Sequence, residues 1–242
     1  MPSRNELLVM AKLSQKAERY SHMADSMLQL ASLASSGGSG STELTEEERN
    51  LLCVAYKSWV DSIRSSLLIL AAIQEKTRGD DKKSELTRIY RSKVEEDLQQ
   101  ICSQLINCIE KFLLPNAISR SSIVFYLKLK GDFFRYLSES DTGKKEVIEK
   151  AQQAYEEAYE ISCNDLKPYH PVRLGLALNY SVFLQETVCN SHRAKLMAKE
   201  AFDTGLMELN SAKAEETFKD SSLILQLIRD NLMLWNSLED ES

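Results

Sequence analysis

Apolar residues recur along most of this chain at intervals of three and four positions, which is the period of an amphipathic α-helix. Near the C-terminal end, for example, Leu223, Leu227, Asn231 and Leu234 share one helical face. No alternating strand pattern bounded by hairpin turns interrupts this period. The pattern therefore predicts an all-α protein of about nine antiparallel helices. We expect these helices near 4–17, 19–34, 45–76, 83–112, 120–138, 144–163, 170–187, 190–208 and 214–236.

The residues that break helices fall between these predicted segments. All four prolines stand at predicted helix boundaries: Pro2, Pro115, Pro168 and Pro171. Thr45 and the glutamates after it predict a capping box at the start of the third helix. We interpret 35–42 (SSGGSGST) as a flexible insert, 77–83 as a loop and 237–242 as an acidic mobile tail. Residues 1–236 then form a single helical domain.

Composition limits the classes of partner. The net charge of −6 disfavours nucleic acid and anionic lipid, and no apolar run reaches the length of a membrane span. The odd cysteine count without a C-x-x-C pair indicates reduced, mostly buried thiols in a cytosolic protein. These cysteines are Cys53, Cys102, Cys108, Cys163 and Cys189. The three histidines are far apart in sequence, so we expect no metal and no cofactor.

Two basic segments are candidates for binding an anion. Lys57 and Arg64 are seven residues apart, so both side chains point to one face of the third helix. Arg135 and Tyr136 are adjacent in another helical segment. Two arginines, a lysine and a phenol would suit a phosphate dianion, although their spacing alone is more typical of ordinary solvated charges on long helices. Cys163 and His170 are separated by a proline-containing loop without an oxyanion-hole motif, so we interpret Cys163 as a buried structural thiol.

Five strings in this sequence, in this order, resemble the 14-3-3 family of phosphopeptide-binding proteins over about Arg4 to Trp235. They are AERY from Ala17, EERNLLCVAYK ending at Lys57, FYLKLKGDFFRYL around Arg135, HPVRLGLALNYSVF from His170 and DSSLILQLIRDNLMLW ending at Trp235. The resemblance implies a nine-helix protomer that forms a cup-shaped dimer through its first four helices. It also implies an amphipathic groove that holds an extended partner segment containing phosphoserine or phosphothreonine.

The resemblance also implies a role for individual residues. The phosphate ligands would be Lys57, Arg64, Arg135 and Tyr136. The residues that hydrogen-bond to the backbone of the bound peptide would be Asn179 and Asn231. The apolar wall of the groove would be Leu178, Val182, Leu227 and Leu234. Accessory positive potential would come from Lys128 and Lys130. The dimer contacts would be Leu13, Ala17, Arg19, Tyr90, Lys93 and Asp97.

This resemblance predicts a non-catalytic adaptor that binds phosphorylated partner proteins and regulates their activity, location or assembly. We expect a homodimer, with a heterodimer as a second form, in the cytoplasm and also in the nucleus. The alternative is a helical scaffold with weakened phosphate dependence that binds unphosphorylated or acidic segments.

The sequence departs from the family's pattern around the predicted phosphate ligands. The family has glycine at Asp61, arginine at Ile63 and Leu68, and tryptophan at Leu67. A carboxylate roughly 8 Å from a phosphate would cost about 2 kcal/mol at an effective dielectric constant of ~20. We therefore expect Asp61 to weaken phosphate binding.

Two further positions bear on the dimer. The family has an acidic residue at His22, paired with Lys93 across the interface, so we expect a weaker ion-pair contribution here. Ser66 corresponds to a position that can be a regulatory phosphorylation site in the family; a small residue that packs in the helix is the alternative.

Overall fold

The computed structural model describes residues 2–35, 43–77, 81–139, 144–212 and 218–240. The described residues form helices and no strands, so the predicted all-α class is confirmed. The chain divides into two compact units, Met1–Asn116 and Ala117–Ser242. No helix in the described ranges has the length and apolar character needed to cross a membrane.

The first unit contains four α-helices. They are α1 (Arg4–Lys16), α2 (Tyr20–Ser35), α3 (Glu46–Lys76) and α4 (Asp81–Cys108). The chain continues from α4 through a π-helical turn, Ile109–Leu113, and a 3-10 turn, Leu114–Asn116. Each helix packs against the next one along the chain, as expected of an antiparallel array. The fully buried side chains of this core include Met23, Met27, Leu30, Leu52, Tyr56, Leu98 and Leu105.

The second unit contains five α-helices. They are α5 (Arg120–Leu137), α6 (Lys144–Asp165), α7 (Pro171–Glu186), α8 (Ser191–Ala212) and α9 (Phe218–Asp240). Helix α5 packs on α6 and α7, and α7 also contacts α8 and α9. The core is aromatic where α6 meets α7: the Tyr155 and Tyr180 rings stack at 5.3 Å, and the Phe183 ring lies 5.2 Å from Tyr155.

The predicted capping box at the start of α3 is confirmed. The Glu48 backbone N–H donates to Thr45 Oγ1 at 3.2 Å, and the Thr45 N–H donates to Glu48 Oε2 at 2.8 Å. Arg4 Nε also donates to Glu48 Oε1 at 2.8 Å. Glu48 therefore joins the start of α3 to the start of α1.

The structure corrects several predicted boundaries. Helix α4 begins at Asp81, so residues 81–83 are helical rather than loop, and 78–80 lie outside the described residues. Helix α9 continues to Asp240, so most of the predicted acidic tail is helical; 241–242 lie outside the description. Of the predicted insert, Ser35 ends α2, and residues 36–42 also lie outside the described residues.

The expectation of mostly buried thiols is partly wrong. None of the five cysteines forms a disulfide within the described residues; Cys102 and Cys108 are buried, Cys53 is partly exposed, and Cys163 and Cys189 are exposed. The interpretation of Cys163 as a buried thiol is therefore incorrect. Cys163 lies at the end of α6, where it lines an open cleft of about 480 Å³ together with residues of α7 and α8.

Candidate functional site

The predicted anion-binding face of α3 carries an acid between its two bases. Asp61 Oδ1 lies 3.3 Å from Arg64 Nη1, an ion pair between residues three apart on the helix. This contact confirms that Asp61 faces Arg64, as the helical spacing predicts. The Asp61 side chain is 61% exposed. A ligand that approaches Arg64 therefore meets a solvated carboxylate beside the guanidinium.

Arg135 and Tyr136 lie near the C-terminal end of α5. The Arg135 guanidinium lies 4.9 Å from the centroid of the Tyr136 ring, within the range of a cation–π contact. The Arg135 Nε–H is buried and has no hydrogen-bond acceptor among the described residues. Burial alone would lower the pKa of Arg135, but Tyr155, Asp132 and Tyr136 raise it above its ordinary value. The guanidinium therefore stays charged in a partly desolvated place.

Asp132, one helical turn before Tyr136, is fully buried, and polar side chains on three helices bond to it. Its Oδ1 accepts a hydrogen bond from the Tyr155 hydroxyl at 2.6 Å, and Lys128 Nζ lies 3.1 Å from its Oδ2. Asn179 Nδ2 lies 2.8 Å from Oδ1 and 2.9 Å from Oδ2. These bonds join α5, α6 and α7 through a single carboxylate, so Asp132 fixes the side chains around Arg135.

Tyr155 connects α6 to this carboxylate, and Gly131 makes the connection possible. A Cβ atom at Gly131 would lie 2.9 Å from the Tyr155 ring, closer than carbon atoms approach without strain. The ring therefore packs directly on the α5 backbone. Burial raises the pKa of the Tyr155 phenol well above its ordinary value, and the Asp132 charge raises it further. The phenol stays protonated and remains a donor to Asp132.

The residues predicted to bind the backbone of a peptide lie on α7 and α9 in the second unit. The nitrogen of the Asn179 carboxamide faces Asp132, because an ionised carboxylate accepts hydrogen bonds only; its oxygen is the group left to accept from a ligand. Asn231 is partly exposed. The apolar side chains nearby are partly or largely exposed: Leu178 and Val182 on α7, Leu227 and Leu234 on α9.

The two accessory lysines differ in their surroundings. Lys128 is mostly buried and pairs with Asp132. Lys130 Nζ lies 6.0 Å from the centroid of the Phe134 ring. Of the two lysines, Lys128 belongs to the network around Arg135, where it neutralises the buried carboxylate of Asp132.

Sequence reasoning missed Asp132 and Tyr155. Asp132 is four residues after Lys128 and three before Arg135, so the helical spacing already placed it on their face. An acid between two bases on an otherwise apolar helix was the available signal. Tyr155 had no such signal, because its contact with Asp132 spans two helices.

The two other residues considered in the sequence, His170 and Ser66, make contacts within their own helices. His170 is the N-cap of α7, and its Nδ1 accepts a hydrogen bond from the Val172 backbone N–H at 3.2 Å. The imidazole therefore caps this helix rather than acting as a base for Cys163. Ser66 is exposed on α3 and donates to the Ser62 carbonyl at 3.0 Å. No group of three or more potential metal ligands occurs among the residues that the structure describes.

The predicted dimer contacts are all exposed in the first unit: Leu13, Ala17, Arg19, Tyr90, Lys93 and Asp97. His22 Nε2 lies 3.5 Å from Arg19 Nη2 on the same surface.

These side chains are suited to binding a ligand rather than to transforming it. Buried cations attract anions, carboxamides bond to a polypeptide backbone, and exposed leucines cover apolar side chains. The fold and the site therefore define an all-α binding protein.

Comparison with known proteins gives the family. The model of the family "14-3-3 protein" matches residues 10–236. The 14-3-3 protein beta/alpha-A of Xenopus laevis is 49% identical over 236 residues, which cover 97% of this chain and 93% of that protein. The 14-3-3-like protein 2 of Caenorhabditis elegans is 47% identical, with coverage of 97% and 92%. The chain belongs to the 14-3-3 family, and it is a non-catalytic adaptor rather than an enzyme.

Proposed function

We propose that this adaptor binds partner segments that contain phosphoserine or phosphothreonine, with Lys57, Arg64, Arg135 and Tyr136 as the phosphate ligands. The observation that carries the proposal is the state of Arg135, a charged and partly buried guanidinium whose Nε–H lacks an acceptor among the described residues. A buried donor without a partner is costly, and an anion would satisfy it. A phosphoryl group supplies three strong acceptor oxygens and about −1.5 to −2 charge at neutral pH.

The network behind Arg135 supports the same proposal. Asp132 and Tyr155 hold α5, α6 and α7 together, and the Tyr136 ring lies beside the guanidinium. A side chain that is already fixed loses little conformational entropy when a ligand binds. Arg135 is thus organised for a planar, multidentate contact with an anion before the ligand arrives.

The rest of the partner segment would lie along α7 and α9. In this proposal, the Asn179 oxygen and the Asn231 carboxamide bond to the peptide backbone, whose groups are unpaired in an extended segment. The exposed leucines Leu227 and Leu234, together with the partly exposed Leu178 and Val182, cover its apolar side chains. Lys130 adds positive potential, and Lys128 helps to position Asn179 through Asp132.

A second candidate function is favoured by one observation, the ion pair between Asp61 and Arg64. An internal carboxylate that occupies Arg64 competes with phosphate. The second candidate is therefore a scaffold that binds unphosphorylated or acidic segments with little phosphate dependence.

Titration of one serine peptide in its phosphorylated and unphosphorylated forms distinguishes the two functions. We expect at least tenfold tighter binding of the phosphorylated form, because each charge-assisted hydrogen bond contributes roughly 1.5–3 kcal/mol. Arg135→Ala and Arg64→Ala should each remove most of that difference. Arg120→Ala is the matched control, since Arg120 is an exposed arginine on the same helix as Arg135 that pairs with Asp165. Equal affinity for the two peptide forms would reject the phosphate-dependent function in favour of the second candidate.

We further propose a homodimer through the exposed surface of α1 and α4, with heterodimers as a second form. Five cysteines that form no disulfide within the described residues suit the reducing cytoplasm, which we propose as the main location, with the nucleus as a second one.

A further inference from the structure

The second unit has an open cleft between α6 and α8, and α7 contributes to its floor. The cleft has a volume of about 480 Å³, which is within the range of ligand-binding sites. Its walls are helix faces, because the residues that line it are three and four positions apart. They include Glu156, Glu160 and Cys163 on α6, and Arg193, Leu196 and Glu200 on α8.

This cleft opens away from the residues that we propose to bind a phosphorylated segment. Tyr180 is the residue of α7 that lines the cleft. It is two positions from both Leu178 and Val182, so its side chain leaves the helix roughly 160° away from theirs. A ligand in the cleft and a peptide along α7 and α9 would therefore not compete for the same space.

One end of the cleft already holds a cationic side chain of the chain itself. Arg193 Nη2 donates to Glu156 Oε1 at 3.3 Å and to the Tyr180 hydroxyl at 3.1 Å. The Arg193 guanidinium also lies 5.7 Å from the centroid of the Tyr180 ring, within the range of a cation–π contact. A carboxylate and a tyrosine ring thus bind an arginine together at this end.

The other end has the same types of group. Glu160 and Glu200 line the cleft from opposite helices, both are exposed, and neither forms an ion pair with a described residue. The half-buried Tyr159 lines the same end. Burial, the neighbouring Cys163 and the Glu200 carboxylate raise the pKa of the Tyr159 phenol to about 12. The ring therefore stays neutral at pH 7 beside two ionised carboxylates.

Charge and shape together favour a lysine or arginine side chain as the ligand of this end. Three of the four charged side chains that line the cleft are carboxylates. Arg173 also acts on the Tyr159 phenol, but its guanidinium is engaged with the end of α6, where Nη1 donates to the Leu166 carbonyl at 2.8 Å. Lysine and arginine combine an apolar stem with a cationic head. The exposed Leu196 and the tyrosine ring suit the stem, and the carboxylates suit the head.

We propose that this cleft is a second binding site, independent of phosphate, for a lysine or arginine side chain of a partner protein and an apolar neighbour of that side chain. The cationic head binds between Glu160 and Glu200 beside the Tyr159 ring, and the apolar neighbour packs on Leu196. The site adds to the proposed function. A partner held by its phosphorylated segment would make a second contact here, and two linked contacts bind more tightly than either one alone.

The first test measures the affinity of an unphosphorylated peptide that has one lysine between two leucines, matched with a version that has glutamine in place of the lysine. Fluorescence anisotropy should show roughly three- to tenfold tighter binding of the lysine peptide, because two exposed ion pairs are involved. The double variant Glu160→Gln with Glu200→Gln should remove most of this preference. Equal affinity of the wild-type chain for the two peptides would overturn the inference.

The matched control is the double variant Glu157→Gln with Asp203→Asn. It removes two exposed carboxylates from the same two helices, and neither of them lines the cleft. The chain is acidic overall and attracts basic peptides in a general way, and both double variants change that background by the same net charge. Equal loss of the lysine preference in the two double variants would therefore overturn the inference.

The second test locates the bound peptide through the exposed thiols. Cys163 lines the cleft, whereas Cys189 is exposed outside it, so alkylation of each by N-ethylmaleimide can be compared by mass spectrometry. A saturating lysine peptide should slow the alkylation of Cys163 at least threefold and leave that of Cys189 unchanged. Unchanged alkylation of Cys163 would overturn the inference.

A competition experiment separates this inference from the proposed function. The protection of Cys163 by the lysine peptide should persist when a phosphoserine peptide is added at saturating concentration. Loss of that protection would overturn the second site, because the two peptides would then share one surface. None of these measurements requires phosphate dependence, so a failure of the proposed function would be seen separately, as equal affinity for phosphorylated and unphosphorylated serine peptides.

Discussion

Asp132 shows how one buried side chain can organise a candidate binding region. The carboxylate is fully buried, and Lys128, Tyr155 and Asn179 all bond to it. A buried charge is tolerated only when it is paired and fully hydrogen-bonded, and this one meets both conditions. Its removal would leave Lys128 mostly buried without its counter-ion.

We expect Asp132→Asn to lower the free energy of unfolding by about 3 kcal/mol, because breaking a buried ion pair from one side leaves an uncompensated charge. Urea denaturation followed by circular dichroism would measure the loss. The double variant Asp132→Asn with Lys128→Met should recover part of it, since the unpaired charge is then gone. Asp203→Asn, an exposed acid on α8, is the control and should change stability by less than about 0.5 kcal/mol. A similarly small change in Asp132→Asn would contradict the structural role of the carboxylate.

Residues on a single helix could be related to one another from the sequence, whereas pairs across helices could not. Helical spacing placed Asp61 beside Arg64, and the structure confirms that contact. Asn179 was expected to serve a peptide backbone, yet its nitrogen bonds to Asp132, 47 residues away in sequence. Helical periodicity shows which residues lie on the same face of one helix. It does not show which side chains of another helix pack against that face.

At the scale of the helix, the start of α3 depends on Glu48. This side chain caps the helix through Thr45 and pairs with Arg4 on α1. Burial acts to raise the pKa of Glu48, but hydrogen bonds from Arg4 and from the Thr45 backbone N–H outweigh it and hold the pKa below its ordinary value. Since the folded-state pKa is the lower one, the stabilisation is complete above the unfolded-state pKa and is lost as the pH falls through the folded-state pKa.

We therefore expect Glu48→Gln to lower the free energy of unfolding at pH 7 by about 1–3 kcal/mol, through the loss of charge-assisted hydrogen bonds. The difference from the wild type should shrink as the pH is lowered from about 5 towards 3, because the wild-type carboxylate becomes protonated there. Unfolding curves at a series of pH values would show it. Glu46→Gln, an exposed acid in the same turn, is the control and should give no comparable convergence. A difference that stays constant with pH would contradict the role of the ionised group.

The helices themselves were largely predictable, because their signals are local. The capping residues at Thr45 and the prolines near 168–171 fixed two starts within a residue or so of the observed ones. The errors occurred where local signals were ambiguous. The charged residues 81–83 were assigned to a loop, although they form the first turn of α4, and the acidic residues after Trp235 continue α9. Polar composition alone does not end a helix.

At the scale of the whole molecule, the first unit exposes apolar side chains that its own core leaves uncovered. On α1, Val9, Met10 and Leu13 are exposed at intervals of three and four residues. On α4, Leu86, Ile89 and Tyr90 repeat the pattern. Apolar stripes of this kind on a water-exposed helix are typical of protein–protein contact surfaces. They support the proposal that a second copy of the chain covers this surface.

We expect the wild-type chain to sediment as a dimer at micromolar concentration and Leu13→Glu to shift it towards the monomer, because a carboxylate would be buried among apolar groups. Leu196→Glu is the matched control: both leucines are 56% exposed, but Leu196 lies on α8 in the second unit. His22 lies against Arg19, so this surface is locally basic where the family's pattern has an acid. An aspartate at this position would restore the acid that pairs with Lys93 across the interface in the family's pattern. His22→Asp should therefore strengthen the dimer, by no more than about 1 kcal/mol, since exposed ion pairs contribute little. A wild-type monomer at this concentration, or equal effects of the two leucine variants, would show that the apolar stripes of α1 and α4 do not form the interface.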